Sequence, residues 1–220
     1  MSLNFKKRVI TSIFLISLLT AMFFYSFIMI ISLIIIALIA WVEFYALISK
    51  IIKKDQIKYR FIRFLYKTLS LLYLSALVYL IFLIESDHSN LKIYLLYSLM
   101  VAVMSDIGGL VVGKIIKGKK LTKISPNKTI SGSTGSLIFS IFLIPFFYGN
   151  TVDQNLLIMF LITIAISLVS QLGDLFISFL KRKAKVKDTS DILPGHGGIL
   201  DRIDGIIFAI PLGIYLFIIT

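Results

Sequence analysis

The sequence predicts an all-α fold class: a polytopic transmembrane helical bundle of about seven spans with a cytoplasmic N-terminus. Three observations predict it. Of the 220 residues, 58% are hydrophobic and only 15% are charged, and a soluble domain of this size carries more charge. Several apolar runs reach bilayer length. Lys and Arg cluster in short segments between those runs. The absence of cysteine excludes a disulfide framework and a thiolate metal site.

Apolar runs and polar connections define the expected spans, which we place at about 9–25, 27–49, 64–84, 91–113, 136–148, 156–180 and 203–219. The first two form a hairpin that turns near Ser26, and the fifth has an alternative start at Thr129. The apolar run 9–49 is too long for the hydrophobic part of a signal peptide. We expect one integral membrane domain, 1–220, with N-terminal spans in 1–104 and both glycine-bearing cytoplasmic segments in 105–220.

Basic residues support this map through the positive-inside rule. Every Lys and Arg except Lys92 lies in one of four segments that the map places in the cytoplasm: 1–8, 50–67, 114–135 and 181–202. The segments 85–90 and 149–155, placed outside, carry acidic residues and no Lys or Arg. The net charge of +12 therefore indicates a membrane surface and not nucleic acid. For segment 50–67 we expect topology and lipid contact alone.

Four carboxylates fall at similar depth near the cytoplasmic face of the map. Asp106 and Asp174 lie about two turns from the ends of spans four and six, and Asp201 and Asp204 begin span seven. A charged group in a span costs about 3 kcal/mol on insertion scales, so it usually faces a polar cavity. These carboxylates repel one another unless cations neutralise them, which predicts a divalent metal site. Lys or Arg neighbours would neutralise part of the charge.

Span six carries one polar stripe, formed by Ser167, Gln171, Asp174, Ser178 and Lys181 at helical spacing. Its two interpretations are a site wall and hydrogen bonding between packed helices. In span four, Gly109 and Gly113 share a face with Asp106 and predict close helix packing. Glu43 is isolated in sequence, and structural pairing and a site role are equally good interpretations. His88, in a predicted external turn, is interpreted as solvated.

Two cytoplasmic segments are candidate phosphate cradles. Segment 114–135 brings hydroxyls, glycines and a lysine before a helix start, which suits an anion, although the Walker A order is absent. The stretch 178–204 packs basic residues, glycines and paired aspartates between two apolar runs. Lys and Arg bind phosphate oxygens, and aspartates three residues apart share a helix face. Together these residues predict a nucleotide-phosphate and metal site at a membrane surface.

The stretch 178–204 resembles the signature of the phosphatidate cytidylyltransferase (CDP-diglyceride synthase) family. The matching fixed positions are Ser178, Lys181, Arg182, Lys187, Asp188, Ser190, Pro194, His196, Gly197, Gly198, Asp201, Arg202 and Asp204. Segment 125–129 and Ser105-Asp106 also look like family motifs, so the resemblance covers about half the chain. Ser131 stands where the family usually has an acidic residue, and Leu110 where an aromatic residue is common. The chain is short for the family, which predicts missing N-terminal membrane length.

The resemblance implies an Mg²⁺-dependent enzyme of phospholipid biosynthesis that transfers CMP from CTP to phosphatidic acid, giving CDP-diacylglycerol and pyrophosphate. It implies that Asp174, Asp201 and Asp204 bind the metal, with Asp106 as a further ligand. A second cation, monovalent or divalent, is an option. It implies substrate binding by Ser125, Lys128, Thr129, Ser133, Lys181, Arg182, His196 and Arg202. Asp174, Lys181, Asp201 and Asp204 are the predicted catalytic residues.

Two other functions stay open: a CTP-dependent polyprenol or dolichol-type lipid kinase, and a cation transporter. A transporter would place carboxylates near the midplane, whereas these cluster at the basic face. The expected partners are CTP, phosphatidic acid and the lipid bilayer, with a homodimer as one candidate assembly and no nucleic acid. The lack of an organelle-targeting extension predicts a bacterial inner membrane, with the active site on the cytoplasmic side.

Overall fold

The computed structural model describes residues 3–53, 56–86, 91–149 and 155–220, with side chains from residue 9 onward. Over those residues the chain is helical, and it contains no strand, only two isolated β-bridges. The all-α prediction is thereby confirmed. The helices are α1 (Leu3–Phe24), α2 (Ser26–Ile51), α3 (Ile57–Ser86), α4 (Leu91–Ile116), α5 (Ile130–Ile141), α6 (Ile144–Phe147), α7 (Leu156–Lys183), α8 (Leu200–Ile203) and α9 (Ile206–Ile219).

Six helical stretches in the described part of the chain are long and apolar enough to cross a membrane: Ser26–Ile51, Ile57–Ser86, Leu91–Ile116, Ile130–Phe147, Leu156–Lys183 and Leu200–Ile219. They correspond to predicted spans two to seven. The first predicted span lies in α1, whose apolar part, Val9–Phe24, is shorter. The protein is therefore an integral membrane protein. Most of the two predicted outer turns, with His88 and Asp153, lies outside the described residues.

Several predicted boundaries differ from the observed ones. α3 begins at Ile57 and not near residue 64, because Lys and Arg are good helix formers whose stems lie along apolar surface. The predicted connection 114–135 is shorter, since α4 continues to Ile116 and α5 begins at Ile130. That start matches the alternative beginning at Thr129, whose side chain accepts a hydrogen bond from the Gly132 N–H as an N-cap.

The chain forms two compact units, which we describe separately. Unit 1 comprises Met1–Ser86 and Leu180–Arg202, and unit 2 comprises Asp87–Phe179 and Ile203–Thr220. In unit 1, α1 and α2 are separated by Tyr25, an extended residue (φ −129°, ψ 102°), which confirms the predicted hairpin. Both helices contact the segment 184–200: the Thr11 hydroxyl donates to the Pro194 carbonyl (3.1 Å), and Glu43 of α2 accepts from the same segment.

In unit 2, α4 packs against α5 and α9. The contact with α5 is close because both helices present glycines: a Cβ on Gly108 would lie 2.5 Å from the Gly135 carbonyl oxygen, and one on Gly132 would lie 2.8 Å from the Gly109 carbonyl oxygen. This confirms the close packing predicted for span four. The buried core of this unit consists of Tyr94, Tyr97, Val101, Ala102, Leu143, Ile144, Met159, Ile162, Ile166, Ala209 and Phe217.

A seam of small polar side chains runs between α4, α5 and α7. The fully buried Ser167 donates to the Ser105 hydroxyl (3.0 Å), and Ser136 donates to the Ser105 carbonyl (2.6 Å). Gln171 accepts from the Ser133 hydroxyl (2.5 Å). The inner part of the predicted polar stripe therefore joins packed helices, which was the alternative interpretation of the stripe.

Candidate active site

Unit 2 carries a cluster of charged and polar side chains, which we call the Asp174 cluster: Asp106, Lys128, Asp174 and Ser178. The Lys128 ammonium pairs with the Asp174 carboxylate, and each side chain is about one quarter exposed (26% and 27%). The Ser178 hydroxyl donates to the other Asp174 oxygen at 3.3 Å. Asp106 lies near enough for its charge to interact with both Asp174 and Lys128. Two carboxylates and one lysine leave the cluster with one formal negative charge.

A short hairpin between α4 and α5 positions Lys128. The Leu121 N–H donates to the Lys128 carbonyl (2.8 Å), and the Lys128 N–H donates to the Ser125 carbonyl (3.1 Å). Thr129, the next residue, is the N-cap of α5. Of the hydroxyls predicted to bind substrate, Thr129 thus caps a helix and Ser133 bonds to Gln171. The segment presents Lys128 on a fixed backbone, with local roles for its hydroxyls.

Asp204, a predicted metal ligand, lies in unit 2 beside α7. It is 6% exposed, and its side chain accepts from the N–H of Gly205 (2.9 Å). Its backbone carbonyl packs against α7, since a Cβ on Gly173 would lie 2.6 Å from that oxygen. The backbone of Asp204 thus lies next to the residue that precedes Asp174. Among the described residues, however, no three His, Asp or Glu side chains form a group that would hold a metal by themselves.

Unit 1 carries a second cluster, the Asp201 cluster: Lys181, Thr189, Gly198 and Asp201. The Lys181 ammonium donates to Asp201 Oδ1 at 2.6 Å. Oδ2 accepts from the Thr189 N–H (2.8 Å), the Thr189 hydroxyl (2.9 Å) and the Gly198 N–H (3.0 Å). The Asp201 side chain is 6% exposed. The Lys181 ammonium balances its charge, and the other donors come from its own loop.

The backbone of segment 184–200 explains how this cluster is presented. α7 ends with Lys185 in the left-handed region (φ 57°), while the Val186 N–H donates to the Lys181 carbonyl (3.0 Å), as in a Schellman motif. A tight turn follows at Leu193, where the His196 N–H donates to the Leu193 carbonyl (2.8 Å). Pro194 and Gly195 (φ 78°) occupy its central positions, which suits a type II turn.

His196 and Arg202 have local partners in unit 1. The Arg202 guanidinium donates to the His196 carbonyl from both Nε (3.1 Å) and Nη2. The His196 ring places Nε2 3.5 Å from the Ser12 hydroxyl of α1, and its buried Nδ1 has no hydrogen-bond partner among the described residues. Arg182 lies in the last turn of α7. Arg202 thus fixes the turn that carries His196, and its predicted contact with a substrate phosphate stays a prediction.

Sequence reasoning did not assign the role of Glu43. This carboxylate on α2 is 2% exposed and accepts four hydrogen bonds from the segment 189–200. Its partners lie 146 to 157 residues away in sequence, so no local pattern indicates them. The available signal was the lone carboxylate itself, because a charge within an apolar helix needs compensating donors.

A divalent cation fits the donor set of the Asp174 cluster. Asp106 and Asp174 offer hard carboxylate oxygens, and Lys128 pairs with Asp174 while its charge also acts on Asp106. Mg²⁺ typically uses one or two carboxylates together with substrate phosphates and water, and needs no cage of protein ligands. The formal negative charge of the cluster suits such a site.

Residues 2–220 match the sequence model of the cytidylyltransferase family. The phosphatidate cytidylyltransferase of Staphylococcus haemolyticus (strain JCSC1435) is 47% identical over 122 residues, which are 54% of this chain and 46% of that protein. The phosphatidate cytidylyltransferase of Rickettsia bellii (strain RML369-C) is 42% identical over 150 residues, 62% of this chain and 64% of that protein. The chain thus spans about half the length of the curated relatives it matches. The extent of the family match places this chain in the cytidylyltransferase family.

Proposed function

We propose that this protein transfers CMP from CTP to phosphatidic acid and releases pyrophosphate, as part of phospholipid biosynthesis. The observation that carries the proposal is the stretch 178–204, whose residues match the family signature and build the Asp201 cluster. The two relatives described above are named phosphatidate cytidylyltransferases. Membership in the cytidylyltransferase family supports the same reaction.

The reaction makes and breaks one bond each at phosphorus. An oxygen of the lipid phosphate bonds to the α-phosphorus of CTP, and the bond from that phosphorus to the bridging oxygen of the β-phosphate breaks. The electron pair leaves with pyrophosphate. The lipid phosphate is already an anion near neutral pH, so no residue has to remove its proton. The protein has to hold the lipid phosphate, the α-phosphate of CTP and the departing pyrophosphate together and neutralise their charge.

Lys128 and Lys181 are the residues we propose for that task. Each ammonium is held by one aspartate, Asp174 or Asp201, which fixes the direction of a flexible side chain before a phosphate arrives. Charge-assisted contacts of this kind are among the strongest hydrogen bonds in proteins. The other predicted substrate contacts stay predictions: Ser125, Thr129, Ser133, Arg182, His196 and Arg202.

For Mg²⁺ we propose Asp106 and Asp174 as ligands. Ligation by Asp201 and Asp204 stays a prediction from the sequence, and the Mg²⁺ dependence of an Asp201→Asn variant tests it for Asp201. When bound, the cation would offset the charge of the CTP phosphates and of the departing pyrophosphate. A second cation, monovalent or divalent, belongs to the same proposal. Lys128 and Ser178 would then set the orientation of Asp174 through their contacts with its two oxygens.

We propose that the protein resides in a bacterial inner membrane with both clusters facing the cytoplasm. The distribution of Lys and Arg supports this orientation. Single cysteines at Gly118 and Lys185 should react with an impermeant thiol reagent only from the cytoplasmic side, and one at Asp153 only from outside. Labelling of the Asp153 variant from the cytoplasm would overturn the seven-span map. The proposed homodimer is tested by native mass spectrometry of the protein in nanodiscs.

The decisive experiment is an assay of the purified full chain with phosphatidic acid, Mg²⁺ and CTP labelled in either the α- or the γ-phosphate. We expect α-label in the lipid product and γ-label in pyrophosphate. A lipid kinase would place the γ-label in lipid, with a polyprenol as the better acceptor. Absence of lipid labelling from both forms of CTP, with a verified relative active in parallel, would overturn the proposal.

A further inference from the structure

Glu43 of α2 is a buried carboxylate whose two oxygens are both fully engaged. Oε1 accepts from the Ser190 hydroxyl (2.5 Å) and from the Ile199 N–H (3.1 Å). Oε2 accepts from the Thr189 hydroxyl (2.9 Å) and the Leu200 N–H (2.8 Å). All four donors belong to the segment that carries the Asp201 cluster. The start of α8 is thus held by a residue of the second predicted span.

Gly198 shows that the chain is built around this carboxylate. A Cβ at residue 198 would lie 2.6 and 2.7 Å from the two Glu43 oxygens, and closer still to the Thr189 hydroxyl. Real Cβ atoms do not approach other atoms so closely, so any side chain would displace Glu43 or Thr189. The glycine therefore allows the carboxylate to reach the backbone N–H groups of Ile199 and Leu200.

The Thr189 hydroxyl connects Glu43 with the Asp201 cluster. It lies 2.9 Å from Glu43 Oε2 and 2.9 Å from Asp201 Oδ2, yet a hydroxyl carries one hydrogen. The two carboxylates therefore share one donor, and a change at either alters the bonding of the other. Asp201 in turn holds the Lys181 ammonium at 2.6 Å. A continuous chain of contacts thus runs from Glu43 through Thr189 and Asp201 to Lys181.

We propose that Glu43 is a positioning residue for the reaction, acting through Thr189 on the orientation of Asp201 and Lys181. This inference rests on the proposed CMP transfer. The four donors match a carboxylate and no neutral replacement, because an amide would turn its NH₂ group toward an N–H of the segment. An aspartate would keep the charge, but its side chain is one methylene shorter. Both Glu43→Gln and Glu43→Asp are therefore expected to release the segment from α2.

Steady-state kinetics of CMP transfer by the full chain in nanodiscs test this role. We expect Glu43→Gln to lower kcat about 10–100-fold, the range typical for groups that orient a ligand through another residue, with KM for CTP within threefold. Glu85→Gln is the matched control, since Glu85 of α3 also accepts from a hydroxyl, that of Ser26 (2.5 Å). Ser49→Ala on α2 is the second control, because the buried Ser49 hydroxyl has no hydrogen-bond partner in the part of the chain that the structure describes. Both controls should keep wild-type kcat.

A double-mutant cycle separates positioning from general stability. Thr189→Val removes the shared hydroxyl at similar volume, and Thr189→Ser keeps it. We expect Thr189→Ser to retain most of the activity, and Glu43→Gln combined with Thr189→Val to be little worse than the poorer single variant. Independent, multiplicative losses would overturn the proposal, as would a Glu43→Gln enzyme with wild-type kcat. If Glu43→Gln does not fold, the two Thr189 variants alone test the role, since equal activity of Thr189→Val and wild type contradicts the proposal.

Hydrogen exchange gives a readout independent of catalysis. Glu43→Gln should increase exchange at the backbone N–H groups of Ile199 and Leu200, while Glu85→Gln should not. Unchanged exchange at both groups would overturn the anchoring role. A wild-type chain that anchors this segment but does not transfer CMP would overturn the proposed function, so the two failures are distinguishable.

Discussion

The Asp201 cluster and the Asp174 cluster use the same residue types in opposite ways. Asp201 has the Lys181 ammonium and three donors from its own loop, one of which, the Thr189 hydroxyl, also lies beside Glu43. Asp174 has Lys128 and one hydroxyl at 3.3 Å, with the charge of Asp106 nearby. The Asp201 carboxylate is thus surrounded by donors, whereas the Asp174 carboxylate has only these two among the described residues.

The different numbers of donors around Asp201 and Asp174 indicate different roles for the two aspartates. A carboxylate surrounded by N–H and O–H donors orients its partners and has little capacity left for a cation. The Asp174 carboxylate has fewer donors and keeps capacity for a cation, which would also offset the charge of the nearby Asp106. We therefore expect Asp201 to act mainly on Lys181 and its loop, and Asp174 to act mainly on Mg²⁺.

The largest effect is expected for Asp174→Asn. It removes a negatively charged ligand from the proposed cation site and takes the carboxylate partner away from Lys128. We expect turnover to fall about 1000-fold, the upper range for loss of one electrostatic contact in a transition state. The Mg²⁺ concentration for half-maximal rate should rise. Initial rates across an Mg²⁺ series measure both, with Asp191→Asn, an exposed loop aspartate, as the matched control. An unchanged Mg²⁺ series would remove Asp174 from the metal site.

Asp201→Asn tests the corresponding aspartate of the Asp201 cluster. An amide cannot accept all the bonds that Asp201 receives, so we expect about a 100-fold loss of turnover and a stability cost of about 1–3 kcal/mol. Because the hydrogen bonds assign this residue to Lys181 and the loop, half-maximal Mg²⁺ should stay as in the wild type. If it rises as in Asp174→Asn, Asp201 is the metal ligand that the sequence predicts. Thermal unfolding in detergent supplies the stability measurement.

The fold was largely predictable because its signals are local. Apolar length and the distribution of basic residues predicted the spans, and the break at Tyr25 lies at the expected hairpin turn. The division of the fifth span into α5 and α6 was missed, although Pro145 stands at the start of α6, where proline is tolerated. Boundaries were wrong where Lys and Arg continue a helix, as at the start of α3.

The candidate site was only partly predictable because its contacts are not local. The signature marked Lys181 and Asp201, and the observed ion pair joins them. Nothing in the sequence paired Lys128 with Asp174, or Glu43 with Thr189, since each pair is far apart in the chain. A polar residue in an apolar helix indicates that it needs a partner, but not which one. Ser167 illustrates this: its place in the stripe suggested a site, and its partner is Ser105 of α4.

A moderate effect is expected for the lysines of the two clusters. Each charge-assisted contact with a phosphate contributes roughly 1.5–3 kcal/mol, so Lys128→Ala and Lys181→Ala should each lower kcat/KM for CTP about 10–100-fold. The sequence predicts that both act on the same phosphates, and the double variant should then lose less than the sum in free energy. Lys123→Ala, an exposed lysine of the same connection as Lys128, is the control. Equal behaviour of Lys123→Ala and Lys128→Ala would leave Lys128 with a role in topology alone.

The smallest effect is expected within the polar stripe of α7, where Ser167 and Ser178 form a matched pair. Ser167 is fully buried and bonds to Ser105, so Ser167→Ala should lower the free energy of unfolding by about 1 kcal/mol and leave kcat/KM unchanged. Ser178 bonds to Asp174, so Ser178→Ala should lower kcat/KM a few-fold, with a smaller change in stability. Unfolding in detergent and CMP-transfer kinetics on both variants separate the two roles. If Ser167→Ala loses as much kcat/KM as Ser178→Ala, the seam also contributes to the reaction. The part of α7 that belongs to the site would then extend to Ser167.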